Sequence, residues 1–79
     1  MNTSDLLKAL ELADQGEWGA AHRLVQSRDD APAAWIHANL HREEGDNANA
    51  GYWYARAGKK PSEKSFAAER AEIRAALAT

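Results

Sequence analysis

Seventy-nine residues, no cysteine and a formal net charge of −2 describe one small domain that side-chain packing alone must hold together. Disulfides, thiolate metal sites and cysteine nucleophiles are excluded, and a weakly acidic chain is a poor candidate for nucleic-acid binding, which rests on several phosphate contacts. The charge is uneven: residues 1–50 carry four Lys or Arg against nine Asp or Glu, giving −5, and residues 51–79 carry six against three, giving +3.

The chain opens with "MNTSDLLKALELADQG", which lacks the basic patch and long apolar run of a signal peptide. No apolar run approaches the roughly 20 residues of a membrane span, so a soluble, cytoplasmic protein is expected. Eighteen alanines and few β-branched residues favour helix over strand throughout. Gly16, Gly45 and Gly58 fall where helices should stop, and Pro32 and Pro61 where new ones should begin. The fold class expected is all-α, a single domain over 1–79. Helices are predicted at about 4–15, 17–28, 32–44, 46–58 and 62–77. They pair as two antiparallel hairpins, about 4–28 and 32–58, closed by the fifth helix.

Helix 2 sets Trp18, Ala21, His22 and Val25 at i, i+3, i+4 and i+7. Helix 4 repeats the spacing with Ala50, Trp53, Tyr54 and Ala57, the stripe of a helix packed on one side. Helix 5 has a narrower stripe of Phe66, Ile73 and Leu77 amid charges, and reads as a lid with a solvated outer side. Ala9, Gly16, Ala21 and Pro32 recur 29 residues on as Ala38, Gly45, Ala50 and Pro61, the mark of a helical-hairpin repeat.

"EEGDNANAGYWYARAGKKP" resembles the second half of a tetratricopeptide repeat, with Gly45, Ala50, Tyr54, Ala57 and Pro61 in the expected order. In the first copy Gly16, Ala21, Val25 and Pro32 fit, but Arg28 stands where the family has alanine, and the period of 29 falls short of the family's usual value of about 34. The likeness covers about residues 6–61, and the same segment resembles a set of small bacterial proteins. The resemblance implies a helical-repeat fold that offers a concave face to a peptide, and no enzyme activity.

Within "WIHANLHREEGDNANAGYWYARAG" lie two of the three histidines, two of the three tryptophans and both tyrosines. His37 and His41 form H-x-x-x-H, with rings about 40° apart on a polar flank of helix 3, whose buried sides are served by Ala34, Ile36 and Leu40. Glu44 follows His41 at i+3, but about 10 Å along the axis from His37. One helix therefore supplies only two metal ligands comfortably, and a third would have to come from His22 across the hairpin. No tightly held metal or cofactor is expected, the alternative being a small-ligand or metal-binding protein using His22, His37 and His41. Trp18, Trp35, Trp53 and Tyr54 read as core. Tyr52 and Arg56, at i and i+4 on the opposite side of helix 4 from Ala50 and Trp53, have no packing task in this reading.

Ser4, Ser27, Ser62 and Ser65 fall near helix ends, where serine serves as a cap. No G-x-S-x-G or phosphate loop is present, so no enzyme is expected. Glu43–Glu44 reads as a solvated edge. The expected function is a protein-interaction module that binds a peptide or acidic protein segment through His37, His41, Tyr52 and Arg56, near the positive charge of Lys59 and Lys60. A homodimeric structural protein is a further alternative.

Overall fold

A computed structural model describes residues 3–78 and contains five helices: α1 (Thr3–Asp14), α2 (Trp18–Val25), α3 (Ala31–Glu43), α4 (Asn47–Ala57) and α5 (Phe66–Leu77). No strand occurs among the described residues. None of the helices is long and apolar enough to cross a membrane. α1 pairs with α2 and α3 with α4, giving the two antiparallel hairpins, and α5 packs on α3 and α1. α3 touches all four other helices. That position explains its sequence: Ala33 to His41 are buried without a break, as only a helix surrounded on every side can be.

Three glycines end their helices in the same way, Gly58 among them. At the end of α1 the Gly16 amide donates to Ala13 O at 3.0 Å and the Glu17 amide to Leu12 O at 2.8 Å. At the end of α3 the Gly45 amide donates to Arg42 O at 3.1 Å and the Asp46 amide to His41 O at 2.9 Å, each atom 29 residues on. Both turns satisfy two orphan carbonyls around a residue in the left-handed region, with φ of 81° at Gly16 and 89° at Gly45. A Cβ at either glycine would touch nothing, so the cost of an alanine there is backbone strain alone. Gly45→Ala is expected to lower stability by about 1–2 kcal/mol in a denaturant titration. A change within error would show that the turn relaxes without loss.

Two boundaries differ from expectation. α2 ends at Val25 and not near 28, because the chain turns there: the Arg28 amide donates to Val25 O, and the Arg28 guanidinium engages Asp30 at 2.9 Å. α5 begins at Phe66 and not at 62. Ser65 Oγ accepts the Ala68 amide at 3.1 Å and is the cap, while Ser62 Oγ accepts the Lys64 amide and holds the preceding segment in a local turn. Pro61 therefore precedes the helix by a full loop.

The apolar core runs through Leu6, Leu10, Val25, Ile36, Leu40 and Ile73, all nearly inaccessible to solvent. Beside it lies a buried polar network that the charge pattern of α5 did not suggest. Glu69 has no exposed surface. Trp35 Nε1 donates to its Oε2 at 3.0 Å, Asn39 Nδ2 to its Oε1 at 2.8 Å, and Arg42 Nη2 to the same oxygen at 3.0 Å. The Tyr54 hydroxyl lies 2.7 Å from Oε2. Arg70, also buried, donates to Asn39 Oδ1, Asp14 and Glu43. Burial pushes the Glu69 carboxyl up, but the bonds from Asn39, Tyr54, Arg42 and Trp35 outweigh it and hold the group below 4.5. Burial, reinforced by Glu69, raises the Tyr54 phenol to about 12. The outer face of α5 is solvated as expected, and its inner face is not the narrow apolar stripe of the sequence reading.

Candidate metal centre

Three helix-borne imidazoles meet where the first hairpin packs on the second. His37 and His41 lie one turn apart on α3 and stack with centroids 4.8 Å apart. His22 reaches them from α2, with ring centroids 4.7 Å from His37 and 5.3 Å from His41. His22 Nε2 and His37 Nε2 are 3.0 Å apart, and one ring nitrogen from each of the three histidines lies within 4.8 Å of the others. Ligand nitrogens around a tetrahedral zinc ion sit roughly 3.3 Å apart, given Zn–N bonds of about 2.0–2.1 Å. The closest pair is already near that spacing. The His41 nitrogen lies within 4.8 Å of both, within reach of one ion after small side-chain rotations.

The surrounding side chains fix the rings. The Trp18 indole stacks on His22 at 4.7 Å and meets His41 edge-on, and its Nε1 donates to Leu40 O at 2.7 Å. The Trp53 indole stacks on His37 at 3.9 Å. Glu44 Oε2 lies 2.6 Å from His41 Nδ1. A carboxylate there selects the tautomer with hydrogen on Nδ1 and leaves Nε2 as the free donor atom, the arrangement that orients metal-ligating histidines. His37 Nδ1, in contrast, has no hydrogen-bond partner, and is the single buried side-chain polar atom so placed among the described residues.

The electrostatics favour the neutral, ligating form. Burial, then the neighbouring His22 and His41, lower His37 to about 4. Burial and His41 also lower His22, against a smaller upward pull from Glu44. His22 and His37 are thereby held in the neutral form that offers nitrogen lone pairs to an ion.

No protein family, curated protein or solved structure matches the chain. The centre must be read from its own geometry.

The residues singled out in the sequence divide into two groups. His37 is 3% exposed and His41 6%, so neither sits on a polar flank of α3. That expectation is corrected, because α3 is enclosed by the other four helices and has no outer flank at these positions. Tyr52 is 55% exposed, and Arg56 lies beside it, donating from Nη1 to the Tyr52 hydroxyl at 3.3 Å and from Nη2 to Asp29 at 3.2 Å. The four residues do not form one open surface: half-buried Trp53 stands between them, against His37 on one side and Tyr52 and Arg56 on the other. Glu43 and Glu44 are exposed, as a solvated edge should be, and each also has a partner, Glu44 on His41 and Glu43 on Arg70. The i+3 spacing of Glu44 from His41 carried that signal in the sequence.

Proposed function

We propose that the protein binds one divalent transition-metal ion, zinc before others, through His22, His37 and His41. The carrying observation is the convergence of one nitrogen from each histidine within 4.8 Å. Three imidazoles suit zinc, copper or nickel and not calcium or magnesium, which take oxygen ligands. The objection that one helix supplies only two ligands loses its force once His22 enters from α2. Calorimetric titration of the metal-free protein should find one zinc site per chain, lost on His22→Ala. Glu44→Gln removes the carboxylate that orients His41, and should weaken zinc binding about 10–100-fold without abolishing it. Equal affinity in the wild type and His22→Ala would sink the reading.

A second reading, docking of an acidic protein segment, has one observation in its favour. Tyr52 and Arg56 are exposed on α4 with no part in the core. Tyrosine and arginine are enriched among residues that dominate binding energy. Tyr52→Ala and Arg56→Ala should each change stability by less than about 0.5 kcal/mol while weakening capture of an acidic peptide. A large drop in melting temperature in either variant would assign the pair to the fold instead.

A further inference from the structure

Resting on the metal reading, we infer that an ion held by His22, His37 and His41 keeps one coordination position for an anionic donor from outside the chain. The protein would then be a receptor for a small metal-ligating anion, and not a closed structural centre.

The first argument is the donor count. Zinc and cobalt sites of structural type are closed by four protein ligands, whereas sites with three keep a position for water or an added ligand. Among the described residues the cluster holds three histidines and no fourth His, Asp or Glu. The nearest carboxylate, Glu44, binds His41 Nδ1. An ion on the Nε2 side of that ring lies on the far edge from it, so Glu44 cannot both orient the ring and ligate. Asp46 groups with Glu44 and His41, on the same outer edge.

The second argument is charge. Three neutral imidazoles leave the full 2+ of the ion unbalanced at the ligands. The two rings stacked on the cluster, Trp18 and Trp53, are uncharged, and the cation next beyond Trp53 is Arg56, which adds to the imbalance. Glu44 supplies a single negative charge, one ring removed. In such surroundings the ion strengthens its hold on any anion that reaches it, hydroxide included.

The third argument is access. His37 and His41 are buried, but His22, Trp18 and Trp53 around them are only half-buried, so an approach runs past these rings, from the α2 or the α4 side. The shared chemistry of the ligand is one anionic donor atom, whether from a free ion or from the side chain of a docked partner.

Cobalt(II) tests this directly, because its visible absorption reports coordination. One equivalent of cobalt added to metal-free protein should give visible bands, and azide should then shift them with saturable, one-to-one dependence. Acetyl-cysteine, a thiolate donor attached to a peptide-like group, should shift the bands further if a partner's side chain can occupy the position. A response to azide alone still supports the open position and assigns it to free ions. Cobalt bands that azide and thiolate leave unmoved would overturn the inference while the metal reading stands. Absence of any cobalt bands, or bands that survive His22→Ala, would overturn the metal reading and this inference together.

Discussion

Replacing Glu69 with alanine is expected to lower stability by about 3–5 kcal/mol, measured by urea denaturation at neutral pH. The side chain is fully buried and accepts hydrogen bonds from four others. Its loss strands the Tyr54 hydroxyl, Trp35 Nε1 and Asn39 Nδ2 in an interior that offers them little else. The costly part is the set of buried donors, Trp35, Asn39 and Tyr54, at about 1–3 kcal/mol each, while half-buried Arg42 keeps contact with the Tyr54 hydroxyl and the Phe66 ring. Total stability for small domains is on the order of 5–15 kcal/mol, so the variant should unfold well below the wild-type midpoint.

The same carboxylate sets an acid limit. Its folded pKa lies below 4.5, so the folded state binds fewer protons than the unfolded state as pH falls past that value. The stability it contributes is fully present above the unfolded pKa and is lost as pH drops through the folded one. Asp14 acts in the same direction: burial raises it, but Arg70 and Arg74 hold it below its ordinary value of 3.8. Wild-type stability should fall as pH drops through and below the ordinary carboxylate values of 4.5 and 3.8, and part of that slope should vanish in Glu69→Ala. Identical slopes in the two proteins would show that Glu69 is not held low in the fold.

The five helices were legible because their punctuation is local. A glycine at φ 81° or 89° and a cap such as Ser65 leave marks within four residues of the boundary. The glycine stops were legible for the same reason, and each closes its helix with the same pair of backbone bonds. What the sequence hid was which helix would be central. Helical wheels gave α3 two apolar sides and left His37 and His41 a flank, but packing by all four neighbours removed it. Glu69 was hidden by its charge. It stands three residues after Phe66 and four before Ile73, squarely on the apolar stripe, and only Arg42, Tyr54, Trp35 and Asn39 on other helices make that position tenable. The histidine cluster was half legible: H-x-x-x-H supplied two ligands, and the third was named from hairpin pairing, but the distances that make three rings one centre depend on tertiary packing.

Zinc should raise the melting temperature of the metal-free protein by about 10–20 °C. A ligand that binds the native state alone adds about 2.7 kcal/mol at a hundredfold excess over its dissociation constant, and each kcal/mol moves the midpoint of a domain this size by about 4–8 °C. The cluster should respond strongly because its components already stand in place. Trp18 and Trp53 clamp two of the rings and Glu44 holds the third, so little ordering remains to be done when the ion arrives. His22→Ala is the informative control: His22 is half-buried and lies on the shortest helix, so its removal should disturb the fold less than removal of His37. In that variant zinc should move the midpoint by no more than a degree or two, and a chelator should return the wild type to its metal-free midpoint. A rise of equal size in both proteins would place the ion elsewhere, on exposed carboxylates such as Glu44 and Asp46. No rise in either would leave the three histidines as a packed aromatic cluster whose polar contacts are the His22–His37 and His41–Glu44 hydrogen bonds.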